Sequence, residues 1–143
     1  MKDILAGQGL EGRHVVLTPH VGELARLVGG TVCSCQENLA SAAMGLAREL
    51  HATVAAKDAR SLICGEGHGI CVNVSGCSGM ATAGSGDVLA GIIAALLAQG
   101  MDAFRAAAVG AYVHGRAGEE VSARIGEYAC MAGDIAQLRA FFP

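Results

Sequence analysis

Two spacings of apolar residues alternate along this chain. His14 to Pro19, HVVLTP, is a short β-branched and apolar run closed by proline, the pattern of a buried strand. Val21 to Val28, VGELARLV, switches to helical spacing. Ser34 and Glu37 stand three apart, as in a capping box, just before a segment whose Leu39, Ala42, Ala43, Leu46, Ala47 and Leu50 share one helical face. Strand-like pieces follow at Thr53 to Ala56, Ser61 to Cys64 and Ile70 to Val74, the last two joined by GEGHG, a turn suited to a hairpin. Residues 75–85 form a loop of Gly, Ser and Thr. Helical patterns then cover about Ser85 to Gln99, Asp102 to Ser122 and Met131 to Ala140. There is no internal repeat and no linker, so helices alternating with strands predict one α/β sandwich domain over residues 1–143.

Composition narrows the class. Hydrophobic residues make up 52 % and charged residues 16 %, the balance of a globular protein. Aromatics are only 3 % while Ala and Gly abound, so the core is packed with small side chains that let elements approach closely. A formal charge of −3 with no basic run offers no footprint for nucleic acid or a membrane surface. MKDILAGQGLEGRH lacks the apolar core of a signal peptide, and the longest apolar run, Val88 to Ala98, is well under the ~18 residues of a membrane span. A cytoplasmic protein is the expectation. Six cysteines contain no CxxC pair, and the CxC at Cys33 and Cys35 has no second pair, so they read as buried thiols of a reducing compartment, with no metal ligand set.

GQGLEG, residues 7–12, matches GxGxxG, but a strand follows it where the dinucleotide fingerprint needs a helix. It reads as a surface loop. Neither GxxxxGK[ST] nor GxSxG occurs.

The chemistry concentrates in GMATAGSGDVLAGIIAALLAQG, residues 79–100. A helix N-terminus leaves backbone N–H groups unpaired and carries a partial positive charge. Gly84, Ser85 and Gly86 have little or no side chain, so an anion can reach those donors. Asp87, the segment's only carboxylate, stands in the first turn. Amides to hold a phosphate beside a carboxylate to take a proton suit phosphoryl transfer to a hydroxyl. On spacing alone, an ordinary helix start with an acidic first turn accounts for these residues equally well.

The surrounding residues carry a resemblance. NVSGCSGMATAGSGD (Asn73 to Asp87) resembles the signature of the ribokinase-like superfamily, and most closely that of the ADP/ATP-dependent NAD(P)H-hydrate dehydratases, the C-terminal half of YjeF-type proteins. LTPHVGELARL (Leu17 to Leu27), AAKDARSLI (Ala55 to Ile63), AYVHGRAGE (Ala111 to Glu119) and CMAGDI (Cys130 to Ile135) resemble further family segments in the same order. The resemblance implies a ribokinase-like three-layer sandwich of which this chain is the C-terminal half. It implies that ADP or ATP, with Mg²⁺, phosphorylates the ring hydroxyl of hydrated NADH or NADPH, and that loss of phosphate restores the dihydropyridine. Asp87 would be the base and would contact the hydrate together with His20. Gly84, Ser85 and Gly86 would form the anion hole, and Lys57, Asp58, Ala59, Arg60, Ser61 and Gly86 would contact the adenine nucleotide. Glu23 and Asn73 are second-line candidates for metal and phosphate positioning.

Plainer roles stand beside these. His20 could satisfy a turn, Lys57 could be a solvated charge, and His114 reads as a buried, hydrogen-bonded histidine on a helix face. Glu119, Glu120 and Arg124 read as surface helix charges. The chain departs from the family pattern at Asp58, where a glycine is usual, at Cys77-Ser78 in place of Asn-Pro, and at Ser85 in place of Thr. The family's N-terminal half has no counterpart here, which predicts exposed sheet edges and association with itself or with a partner supplying that half. A small-molecule kinase of the same superfamily and a non-catalytic nucleotide-binding or assembly module are the alternative functions.

Overall fold

A computed structural model of the chain describes residues 12–137. Most of the GQGLEG segment and the end of the last expected helix lie outside them. In chain order the elements are β1 (Val16–Leu17), α1 (Val21–Val28), α2 (Val32–Glu37), α3 (Leu39–Leu50), β2 (Thr53–Ala56), β3 (Leu62–Cys64), β4 (Ile70–Val72), α4 (Ser85–Ala98), α5 (Ala103–Ile125) and α6 (Ala132–Gln137). Single 3₁₀ turns occur at Ser78–Met80 and Glu127–Ala129.

The strands form one sheet in the order β1-β2-β3-β4. β1 runs parallel to β2, and the other two pairs are antiparallel, with GEGHG making the expected β3–β4 hairpin. Alternation along the strands divides the core in two. Val54, Ala56 and Cys64 face Leu46, Ala47 and Leu50 of α3 and Leu24 of α1. Ala55 and Ile63 face the other way, onto Leu89 and Ile93 of α4 and Ala106, Ala107 and Ala111 of α5. The result is three layers, with α1 and α3 on one face and α4 and α5 on the other.

Local signals explain most boundaries. Proline has no N–H to give a ladder, so β1 ends before Pro19, and pairing resumes as a single parallel bridge between His20 and Lys57. The Lys57 N–H donates to the Pro19 carbonyl at 2.8 Å. The expected capping box at Ser34 is corrected: Thr31 is the cap of α2, its hydroxyl accepting from the Ser34 N–H, so Ser34 lies inside that helix. α3 starts at Asn38 with no side-chain cap.

Both ends of the sheet are open among the described residues. β4 turns Ile70 and Val72 to solvent, and Val74 beyond it is 73 % exposed. All six cysteines are free, Cys35, Cys64 and Cys130 buried and Cys33 exposed. No helix of the described residues is long and apolar enough to cross a membrane.

Candidate active site

The glycine loop ends at Gly84, whose φ of +85° is left-handed and whose absent Cβ would stand 3.2 Å from the Ala132 methyl. Its carbonyl accepts from the N–H groups of Asp87 and Val88, at 3.0 and 3.1 Å, which starts α4. The Ser85 N–H makes a long 3.3 Å bond to the Thr82 carbonyl. The Gly86 N–H has no partner among the described residues. Against this residue lies the Lys57 ammonium: a Cβ on Gly86 would come within 2.9 Å of Nζ. Lys57 forms no ion pair among the described residues, so a free cation and a free amide meet where the α4 dipole is positive.

These groups open onto a cavity of about 720 Å³. Of the expected site residues, His20, Lys57, Asp58, Ala59, Ser61, Asn73, Ser85 and Gly86 line it. Arg60, Gly84, Glu23 and Asp87 do not. Asp87 is exposed in the first turn of α4, next to Gly86 and outside the cavity wall, with no ion pair among the described residues. A second cavity, of about 350 Å³, lies beside His14, His51 and His68 and contains none of the expected residues.

His20 does two things. Its Nδ1 accepts from the N–H groups of Gly22 and Glu23, and the Glu23 carboxylate takes the His20 N–H at 2.9 Å. That is a capping box with histidine in the place usually held by Ser or Thr. Accepting at Nδ1 puts the proton on Nε2, 3.1 Å from Glu23 Oε1. Glu23 is thus committed to the cap. Asn73 is equally occupied: its amide donates to the carbonyls of Ser75 and Ala111, and its oxygen accepts from the Ser75 N–H and hydroxyl. It anchors the loop over residues 73–80 to α5.

That loop is pinned along α5 by small residues. A Cβ on Gly115 would fall 2.2 Å from the Ser75 hydroxyl and 2.7 Å from its backbone, and one on Gly118 would fall 2.2 Å from the Met80 sulfur. The Gly76 N–H donates to Glu119 at 2.7 Å, so Glu119 is a loop anchor rather than the free surface charge expected. Glu120 and Arg124 do pair on the helix surface. Cys77, in place of the family's asparagine, contacts the Ser122 hydroxyl at 3.0 Å.

His114 is buried at 8 % exposure, with Nε2 3.3 Å from the Ser85 hydroxyl. Burial pushes its pKa below the ordinary histidine range; a backbone bond with Ser85 pulls it partly back, and the Lys57 charge lowers it further. The contact with Ser85 was not legible in the sequence, because it joins residues 29 apart that share no motif. Among the described residues no three His, Cys, Asp or Glu side chains gather as a metal-binding group.

Comparison with known proteins bears on the family and the fold. The family described as NAD(P)H-hydrate dehydratase matches residues 5–138. A bifunctional NAD(P)H-hydrate repair enzyme Nnr of Moorella thermoacetica is 49 % identical over 128 residues, 88 % of this chain and 24 % of that protein. The crystal structure of an ADP/ATP-dependent NAD(P)H-hydrate dehydratase from Bacillus subtilis, co-crystallised with ATP/Mg²⁺ and soaked with CoA, superposes with a TM-score of 0.80 at 28 % identity, over 85 % of this chain and 45 % of that one. A ribokinase-like superfamily protein from Enterococcus faecalis gives a TM-score of 0.72 at 27 % identity, over 95 % of this chain and 47 % of its own. The chain therefore spans less than half the length of each of these relatives. Its fold is ribokinase-like, and the chain belongs to the NAD(P)H-hydrate dehydratase family.

Proposed function

We propose that the chain carries the nucleotide side and the catalytic base of an ADP- or ATP-dependent NAD(P)H-hydrate dehydratase. The observation that carries the reading is the meeting of the free Gly86 amide and the Lys57 ammonium at the start of α4, with Asp87 next in line. In this reading the Gly86 amide and the Lys57 ammonium both donate to a terminal phosphate, while Asp58, Ala59 and Ser61 continue the same cavity wall toward the rest of the nucleotide. The Asp87 carboxylate takes the proton of the hydrate's ring hydroxyl. The hydroxyl oxygen then bonds to the terminal phosphorus, and the bond to the departing nucleotide oxygen breaks.

Hydroxide is a poor leaving group and phosphate a good one. Phosphate departs with the carbon–oxygen bonding pair, pushed by the ring nitrogen's lone pair, and loss of a proton from the neighbouring carbon restores the dihydropyridine. Mg²⁺ arrives in this reading as the nucleotide's counter-ion, since Glu23 and Asn73 are committed elsewhere and no dedicated cage is present among the described residues.

Asp87 lies outside the cavity wall, so the hydrate's side of the site stays open in this chain. In this reading, the portion of the relatives that this chain does not span would complete that side. The six free thiols support a reducing, cytoplasmic setting.

The test follows regeneration of NADH from its hydrate by absorbance, with ADP and Mg²⁺, using this chain alone and with the N-terminal half of a relative added. Regeneration is expected, and Asp87→Asn should lower its rate by about 10²–10⁴-fold while leaving ADP binding intact. ADP binding with no regeneration under either condition would replace this reading with that of a non-catalytic nucleotide-binding module. Consumption of ATP with a sugar or vitamin precursor would point to a small-molecule kinase.

A further inference from the structure

We propose that His114 is a positioning residue for the anion-holding turn, acting through the Ser85 hydroxyl. The proposal deepens the reading of Gly86 and Lys57 as a phosphate site and rests on it. α5 passes the start of α4 with Ala111, His114 and Gly115 toward the cavity, at the helical spacing that places them on one face. Here the His114 imidazole meets the Ser85 hydroxyl, both groups nearly closed to solvent at 8 % and 7 % exposure.

The turn needs such a hold. Gly84 and Gly86 flank Ser85 and have no side chains, so the backbone there has more freedom than any other residue pair would leave it. The Ser85 N–H itself makes one main-chain bond among the described residues, to the Thr82 carbonyl at 3.3 Å. Ser85 offers the one side chain in this three-residue turn that a neighbouring helix can grip, and His114 grips it. Burying an imidazole and a hydroxyl costs free energy that mutual hydrogen bonding only offsets. An apolar pair would fill the junction without that cost; the polar pair adds direction. The imidazole stays uncharged near neutrality, chiefly through burial, so it does not repel the nearby Lys57 ammonium from its place against Gly86.

Amide hydrogen exchange over residues 84–89 of the ligand-free chain reads the turn without any ligand. Ser85→Ala and His114→Ala should each speed exchange at Asp87 and Val88 by about tenfold, and the double variant should be no faster than either. His114→Gln, which keeps a donor and an acceptor, should restore slow exchange. Ser85→Ala is small enough to leave the fold intact if His114→Ala does not. Unchanged exchange in Ser85→Ala, or effects that multiply in the double variant, would overturn the proposal. ADP dissociation constants on the same proteins should rise about tenfold with the same lack of additivity. If exchange follows the expected pattern but the unaltered chain binds neither ADP nor inorganic phosphate, the phosphate reading fails while the hold of His114 on the turn stands.

Discussion

A methyl group at residue 86 would stand where the Lys57 ammonium now lies, and a methyl group at residue 115 would enter the backbone of Ser75. The two glycines look alike in sequence but differ in what gives way. Lys57 ends in a flexible chain and can swing aside, so Gly86→Ala should leave the melting temperature nearly unchanged and weaken ADP binding about tenfold through loss of the ammonium. Backbone cannot swing aside, so Gly115→Ala should lose about 2 kcal/mol or more in denaturant titrations. His114 sets a further test. Burial depresses its pKa in the folded protein, so below the ordinary histidine value of about 6.5 the unfolded chain binds a proton that the folded chain refuses. Stability is untouched above that pH and falls as pH drops below it, by at most ~1.4 kcal/mol per unit, until the folded-state pKa is reached. Denaturant titrations between about pH 7.5 and pH 5 should show a shallower loss for His114→Gln than for the unaltered chain. Residues 84–87 were legible in the sequence because a helix start is a local event. The purpose of Gly115 and Gly118 was not, since what a missing side chain makes room for is decided by a segment some 40 residues away.

At the scale of single elements, α1 shows how much a cap decides. His20 accepts two main-chain bonds, so His20→Ala should cost about 1 kcal/mol of stability, whereas His20→Asn, a good capping residue, should cost far less. Urea titrations of the two variants check this, and any fall in hydrate turnover shared by both then reports on something other than the cap. The bounds of α1 and of β2 were read correctly from apolar spacing, and α1 has punctuating residues at hand, Pro19 before it and Gly29 in left-handed conformation after it. The start of α3 was misread, and α2 was not anticipated. Thr31 and Ser34 are both able to cap, and the choice fell to Thr31 because its backbone is extended, at φ −96° and ψ 158°. β4 stops at Val72, two residues short of the expected end, because the chain turns away at Asn73 to bond with Ser75 and α5.

For the molecule as a whole, the α/β class and the β3–β4 hairpin were legible, while the order of the strands and the sheet's neighbours were not. A pattern of residues says which face is apolar; it does not say what covers an edge. Ile70, Val72 and Val74 form an exposed aliphatic row along the unpaired side of β4, the kind of edge through which chains associate. Sedimentation of the chain should show concentration-dependent self-association, reduced in Val72→Lys. On the opposite side of the sheet, the bridge between His20 and Lys57 joins the two segments that the resemblance gives to different ligands. A ligand that shifted one segment would act on the other through the Lys57 N–H bond to the Pro19 carbonyl. Hydrate and nucleotide would therefore each feel the other's arrival, and thermodynamic reciprocity requires the change in affinity to be equal in both directions.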